Sequence, residues 1–204
     1  MAGPMLYRQL IAWPWLAWAL YWAVAALRTK RARRRERLVS RLSHVVPLVL
    51  GGLLLGWRDV PWAWLALRLW PPAALPYLLG LALVLAGLAF AVWARVHLGG
   101  NWSGTVTVKE AHELVRSGPY AYVRHPIYTG LITAVLGTAL ASGTLRAAFG
   151  FLIITVALQR KLRAEEAFMR ETFPEEYERY RAEVPALIPV TAARRSARHS
   201  APRP

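Results

Sequence analysis

Long apolar runs, each closed by a cluster of Arg or Lys, constrain this chain more than any other feature. Residues 75–96 are almost unbroken Leu, Ala, Val and Gly. Such a run is long enough to cross a hydrocarbon core of roughly 30 Å as a helix, and a helix satisfies its own backbone polar groups there without water. Residues 10–27 form a similar run, followed by Arg28-Thr29-Lys30-Arg31-Ala32-Arg33-Arg34-Arg35-Glu36-Arg37. A shorter run at 42–57 contains Pro47 and three glycines, Gly51, Gly52 and Gly56, that permit close helix contact. Two more, at 126–140 and 145–158, flank Ser142-Gly143-Thr144, and the second leaves through Arg160-Lys161-Leu162-Arg163. They are short for full spans and read as a tight or tilted hairpin.

Basic residues gather on the cytoplasmic side of membrane spans. The clusters after the first, third and fifth runs therefore predict an all-α integral membrane protein with about five transmembrane helices. Its N-terminus would lie outside and its C-terminus in the cytoplasm. Residues 1–97 would hold helices 1–3, residues 98–190 the hairpin and C-terminal helices, and residues 191–204 a basic disordered tail. Residues 5–27 do not read as a signal peptide, because only Arg8 precedes the run and the dense charge follows it. The outer loop carries Trp57, Trp62, Trp64 and Trp70, which suit headgroup depth.

The net charge of +15 would suggest nucleic acid in a soluble protein, but 56% of the residues are hydrophobic and ten are Trp. The basic residues lie between or after the spans, so topology and anionic lipid at the basic loops explain them, and no nucleic-acid partner is expected. There is no cysteine, which removes disulfides, thiolate metal sites and cysteine nucleophiles. An Arg-rich and Ala-rich composition points to a bacterial inner membrane.

One stretch is neither plain span nor linker: Ser117-Gly118-Pro119-Tyr120-Ala121-Tyr122-Val123-Arg124-His125-Pro126-Ile127-Tyr128-Thr129-Gly130. Pro126 suits the first turn of a helix and pushes His125 towards an extended conformation. The polar groups thus collect at a helix N-terminus, where free N–H groups and an Arg favour an anion. Tyr120, Tyr122 and Tyr128 offer flat faces and hydroxyls. Lys161 and Glu165 share a face four residues apart on the last apolar helix. Arg124, Lys161 and Glu165 are the residues expected to carry chemistry, on a zwitterionic ligand with an aromatic base. Pro174 should open another short helix, with Tyr177 and Tyr180 on one face. Residues 105–108 alternate as a short extended piece. His97, His112 and His125 have no paired ligands nearby in sequence, so no metal is expected, and no Gly-rich phosphate loop or nucleophile elbow is present.

These motifs resemble those of the isoprenylcysteine carboxyl methyltransferase family, and more broadly of phospholipid methyltransferase-like membrane enzymes. The resembling part runs from His112-Glu113-Leu114-Val115 through Ser117-Gly118-Pro119-Tyr120 and Arg124-His125-Pro126-Ile127-Tyr128-Thr129-Gly130. It continues with Glu165-Glu166, Phe173-Pro174-Glu175-Glu176-Tyr177 and Val184-Pro185. The resemblance implies a methyltransferase that uses S-adenosylmethionine without a Rossmann-type domain. It places the cofactor against His112, Glu113, Leu114, Val115, Tyr120, His125, Pro126, Ile127 and Tyr128, with Glu165 closing the other side. The acceptor would be a lipophilic small molecule or prenylated substrate entering from the bilayer. An Arg that serves the substrate in eukaryotic members is replaced here by Lys161, which lacks a planar fork for a carboxylate. An amine acceptor would require Glu165 or Glu166 as a base. Sterol reductases, which use a nicotinamide cofactor, are similar around the same Arg-His-Pro motif and form the rival class.

Overall fold

A computed structural model describes residues 4–27, 38–57, 62–99 and 114–189. The basic block at 28–37, the extended piece at 105–108, His112, Glu113 and the tail at 191–204 lie outside the described residues. Among the described residues the fold is all helical: α1 (Pro4–Ala26), α2 (Leu38–Gly56), α3 (Ala74–Leu98), α4 (Pro126–Ser142), α5 (Leu145–Thr172) and α6 (Pro174–Glu183). Short 3₁₀ turns occupy Ala63–Ala66 and Gly118–Ala121.

By length and composition, α3 alone of the described helices is apolar for long enough to cross a membrane, while Leu10–Ala26, Arg41–Gly56 and Pro126–Ser142 are shorter apolar stretches. The outer surface of the bundle is apolar, with Leu16, Leu20, Leu75, Leu78, Trp93 and Leu152 all exposed. Water would disfavour so much exposed hydrocarbon, whereas lipid accommodates it. The helix that begins with the fifth apolar run carries Lys161 and Glu165, as the sequence predicts. It continues as one helix to Thr172, apolar in its first half and charged in its second.

Small residues hold the bundle together. Gly80 and Gly87 on α3 face Gly137 and Gly130 on α4, two pairs each seven residues apart. A Cβ on Gly80 would lie 2.5 Å from the Gly137 carbonyl oxygen, and one on Gly130 would lie 2.8 Å from the Ala91 nitrogen. Backbone blocks backbone here, so no rotamer change can relieve the clash. Gly130→Ala is therefore expected to destabilise the bundle by about 1–3 kcal/mol, as overpacking does. Gly52→Ala, where the added carbon would meet nothing within 4 Å, should be neutral or mildly stabilising. Thermal unfolding of the two variants in detergent checks this contrast.

α5 packs on α2 in the same way, with Gly51 against Gly150. Arg146, at the start of α5, is buried and donates to the carbonyls of Leu54 (2.8 Å), Leu55 (3.1 Å) and Trp57 (3.1 Å). It thus satisfies acceptors that α2 leaves open at its C-terminus. α1 lies on α3, with Trp15 and Trp18 packed against Val84, Leu88 and Ala134. Trp15 also donates to the Thr138 hydroxyl at 3.0 Å. The α4–α5 turn closes as the sequence predicts. Gly143 caps α4 at φ 61°, and its carbonyl and the Leu145 N–H pair with residues 67–69. At the opposite end of the bundle the α3 C-terminus, the Gly118–Ala121 turn, the α4 N-terminus, the charged half of α5 and α6 come together.

Candidate active site

The α4 N-terminus is built by Pro126, which starts the helix, and by His125, which stands before it at φ −124°. The chain after α6 returns across this point as a strap. The Arg124 N–H donates to the Pro185 carbonyl (2.9 Å) and the His125 N–H to the Ala186 carbonyl (3.0 Å). The Thr129 hydroxyl donates to the Leu187 carbonyl (2.7 Å). The two N–H groups just before the helix are therefore taken by the strap. Below it, Tyr120 is buried in the 3₁₀ turn and accepts a 2.6 Å hydrogen bond from the Tyr180 hydroxyl on its carbonyl. Burial raises the phenols of Tyr120, Tyr177 and Tyr180 well above the usual tyrosine range.

Two adjacent carboxylates on α5 face different neighbours. Glu166 is buried, and its Oε1 accepts from the Arg124 guanidinium at 2.6 and 3.0 Å and lies 3.2 Å from His125 Nε2. Arg124 also donates to the carbonyls of Val184 and Arg181. Arg124 is thus committed to Glu166 and the strap, and its side chain is only 8% exposed. Burial alone would raise the Glu166 carboxyl. The hydrogen bonds from His125 and Arg124, with their Coulomb fields, outweigh it and hold the group at about 2.

A depressed folded-state value means that the ionised carboxylate stabilises the fold above its unfolded value, near 4.5, and that this stability is lost as pH falls towards 2. The thermal midpoint should therefore drop between about pH 4.5 and 2. The Glu166→Gln variant should lack that part of the drop.

Glu165 is the freer of the pair, with 26% of its side chain exposed. It accepts a 2.5 Å hydrogen bond from the Tyr128 hydroxyl. Lys161 Nζ and His125 Nδ1 each lie 3.9 Å from its oxygens. The His125 and Tyr128 rings lie parallel within 8°, 5.7 Å apart, and the Lys161 ammonium sits 5.7 Å from the Tyr128 centroid. The result is a partly exposed cluster of a carboxylate, an ammonium, an imidazole edge and aromatic faces.

Of the residues expected from the sequence, Tyr120, Arg124, His125, Pro126, Ile127, Tyr128, Lys161 and Glu165 meet at this end of the bundle. Leu114 and Val115 lead into the turn that carries Tyr120 and are half-buried. Tyr122 is 58% exposed and faces away from the burial that encloses Tyr120. Glu166 is not a solvated neighbour of Glu165 but the buried partner of Arg124. Its only sequence signal is that two adjacent helix positions lie about 100° apart, so that one of the pair faces inward.

Residues 79–171 match the sequence model of the isoprenylcysteine carboxyl methyltransferase (ICMT) family. A protein-S-isoprenylcysteine O-methyltransferase of Schizosaccharomyces pombe is 37% identical over 100 residues, covering 48% of this chain and 42% of that protein. The cobalt-zinc-cadmium resistance protein CzcN of Cupriavidus metallidurans is 30% identical over 149 residues, covering 71% of this chain and 60% of the relative. The match to these two curated relatives thus spans about half of their length. The solved structure of a eukaryotic intramembrane Ras methyltransferase ICMT superposes with a TM-score of 0.52 at 22% identity, over 74% of this chain and 51% of that one. At that identity the likeness is one of fold.

Proposed function

Because the chain belongs to the isoprenylcysteine carboxyl methyltransferase family through residues 79–171, we propose that it is an integral-membrane methyltransferase that uses S-adenosylmethionine on a lipophilic acceptor. The observation that carries this reading is the Glu165 carboxylate, half-buried and held by Tyr128 beside Lys161 and His125. The donor set fits the cofactor. A carboxylate suits ribose hydroxyls or an α-ammonium. Parallel aromatic rings suit an adenine or a sulfonium. When bound, S-adenosylmethionine supplies a methyl group on a sulfonium, already activated for in-line displacement.

The protein's own part is then positioning and exclusion of water. Glu165 anchors the cofactor, with His125, Pro126, Ile127 and Tyr128 beneath it. Tyr120, Leu114 and Val115 extend the cofactor's contacts, and His112 and Glu113 are assigned to it by the family resemblance alone. Lys161, one turn before Glu165 on α5, holds the acceptor's polar end. Arg124 acts one step back, fixing the strap and α5 through Glu166. A carboxylate acceptor needs no base. An amine acceptor would pass its proton to Glu165, whose oxygen is the exposed one of the pair. About five spanning helices with the C-terminus in the cytoplasm would let cofactor enter from water and acceptor from lipid. Anionic lipid would meet the basic loops, and a bacterial inner membrane is the proposed setting.

Membranes that contain the protein should transfer labelled methyl from S-adenosylmethionine into an extractable lipid or membrane-protein fraction. Membranes carrying Glu165→Ala should not. Equal labelling by both would remove the assignment of Glu165.

A further inference from the structure

We infer that His97, at the last turn of α3, is a positioning residue for the cofactor floor. This rests on the methyltransferase reading, which assigned no role to His97. Three contacts converge on one four-residue turn. His97 Nε2 lies 2.9 Å from the Ser117 hydroxyl. Its ring stacks on Tyr120 with centroids 6.4 Å apart and planes at 27°. It also fills the space beside Gly118: a Cβ there would lie 2.6 Å from His97 Cε1 and 2.8 Å from each ring nitrogen. Gly118 adopts φ 58°, a left-handed conformation in which a side chain is strained. The residue that permits the turn thus also leaves the slot into which the imidazole fits.

The turn is the mount of Tyr120. From the other side the Tyr180 hydroxyl holds the Tyr120 carbonyl at 2.6 Å. Tyr120 is therefore clamped between α3 and α6, and His97 is the α3 half of the clamp. α3 is itself fixed at this end. Arg95, two residues earlier, donates to the Gly99 carbonyl (2.9 Å) and to the Ala25 carbonyl at the end of α1 (3.0 Å). A rigid membrane helix thereby sets the height of a loop residue at the cofactor surface. His97 itself is exposed. Its loss removes contacts made mostly in solvent and leaves the packed α3–α4 seam untouched, so its effect should fall on the site and not on the fold.

Calorimetric titration of the detergent-purified full chain with S-adenosylhomocysteine, paired with thermal unfolding, tests this. His97→Ala should weaken binding by about tenfold, the scale of one lost positioning contact, with the thermal midpoint unchanged. His97→Gln, which can still reach the Ser117 hydroxyl, and His97→Phe, which keeps a ring in the slot, should each recover part of the affinity. Ser117→Ala added to His97→Ala should cost little more, because the two act through one bond. Wild-type affinity in all His97 variants, or a loss matched by an equal fall in thermal midpoint with no rescue, would overturn the positioning role alone. Failure of the wild-type protein to bind would overturn this inference together with the function on which it rests.

Discussion

Glu165→Gln is expected to weaken S-adenosylhomocysteine binding roughly 10- to 150-fold, because a charge-assisted hydrogen bond contributes about 1.5–3 kcal/mol. Gln keeps the shape and can still accept from the Tyr128 hydroxyl, which lies 2.5 Å from Glu165. What it removes is the charge that faces Lys161 and His125. The thermal midpoint should change little, since the Glu165 side chain is partly exposed and stands outside the Arg124–Glu166 pair. Methyl transfer should fall at least as far as binding, and further if the acceptor is an amine and the carboxylate takes its proton. Calorimetry and a transfer assay on one preparation separate the two. Loss of transfer with full binding would assign Glu165 to the reaction alone.

The second large effect belongs to the neighbouring residue and has the opposite character. Glu166→Ala should destabilise the protein by about 3–5 kcal/mol, the cost of leaving a buried charge without its partner. The stranded group is the Arg124 guanidinium, whose side chain is 8% exposed and whose hydrogen bonds reach Glu166 and the carbonyls of Val184 and Arg181. One carboxylate thus ties α4, α5 and the strap together. Arg124→Met combined with Glu166→Leu removes both charges and should be less destabilised than either single change, because no charge is left uncompensated. Thermal unfolding of the four proteins gives the cycle. Additive losses would show that the pair is not coupled.

Much of the fold was readable because its signals are local. Pro126 and Pro174 open helices where a fixed φ and a missing N–H predict them, and Gly143 closes α4 in the left-handed region. Gly130 and Gly137 share a face because seven residues make nearly two turns, and that face meets α3. The site was half readable. Tyr128, Lys161 and Glu165 follow from helical spacing once α4 and α5 are neighbours. The strap does not, because its hydrogen bonds join residues about 60 positions apart and no period in the sequence encodes them. For the same reason Arg124 reads as a free cation in sequence, while in the fold it is spent on Glu166 and the strap carbonyls. Tyr122 and Tyr120 are indistinguishable two residues apart, and the 3₁₀ turn sends one inward and the other out.

In the proposed function, the cluster around Glu165 holds S-adenosylmethionine. Calorimetric titration of the detergent-purified protein with S-adenosylhomocysteine, repeated with NADPH, tests it most directly. Saturable binding of S-adenosylhomocysteine that Glu165→Gln weakens is expected, with no binding of NADPH. Absence of S-adenosylhomocysteine binding, or NADPH bound in its place and weakened by the same substitution, would contradict that function.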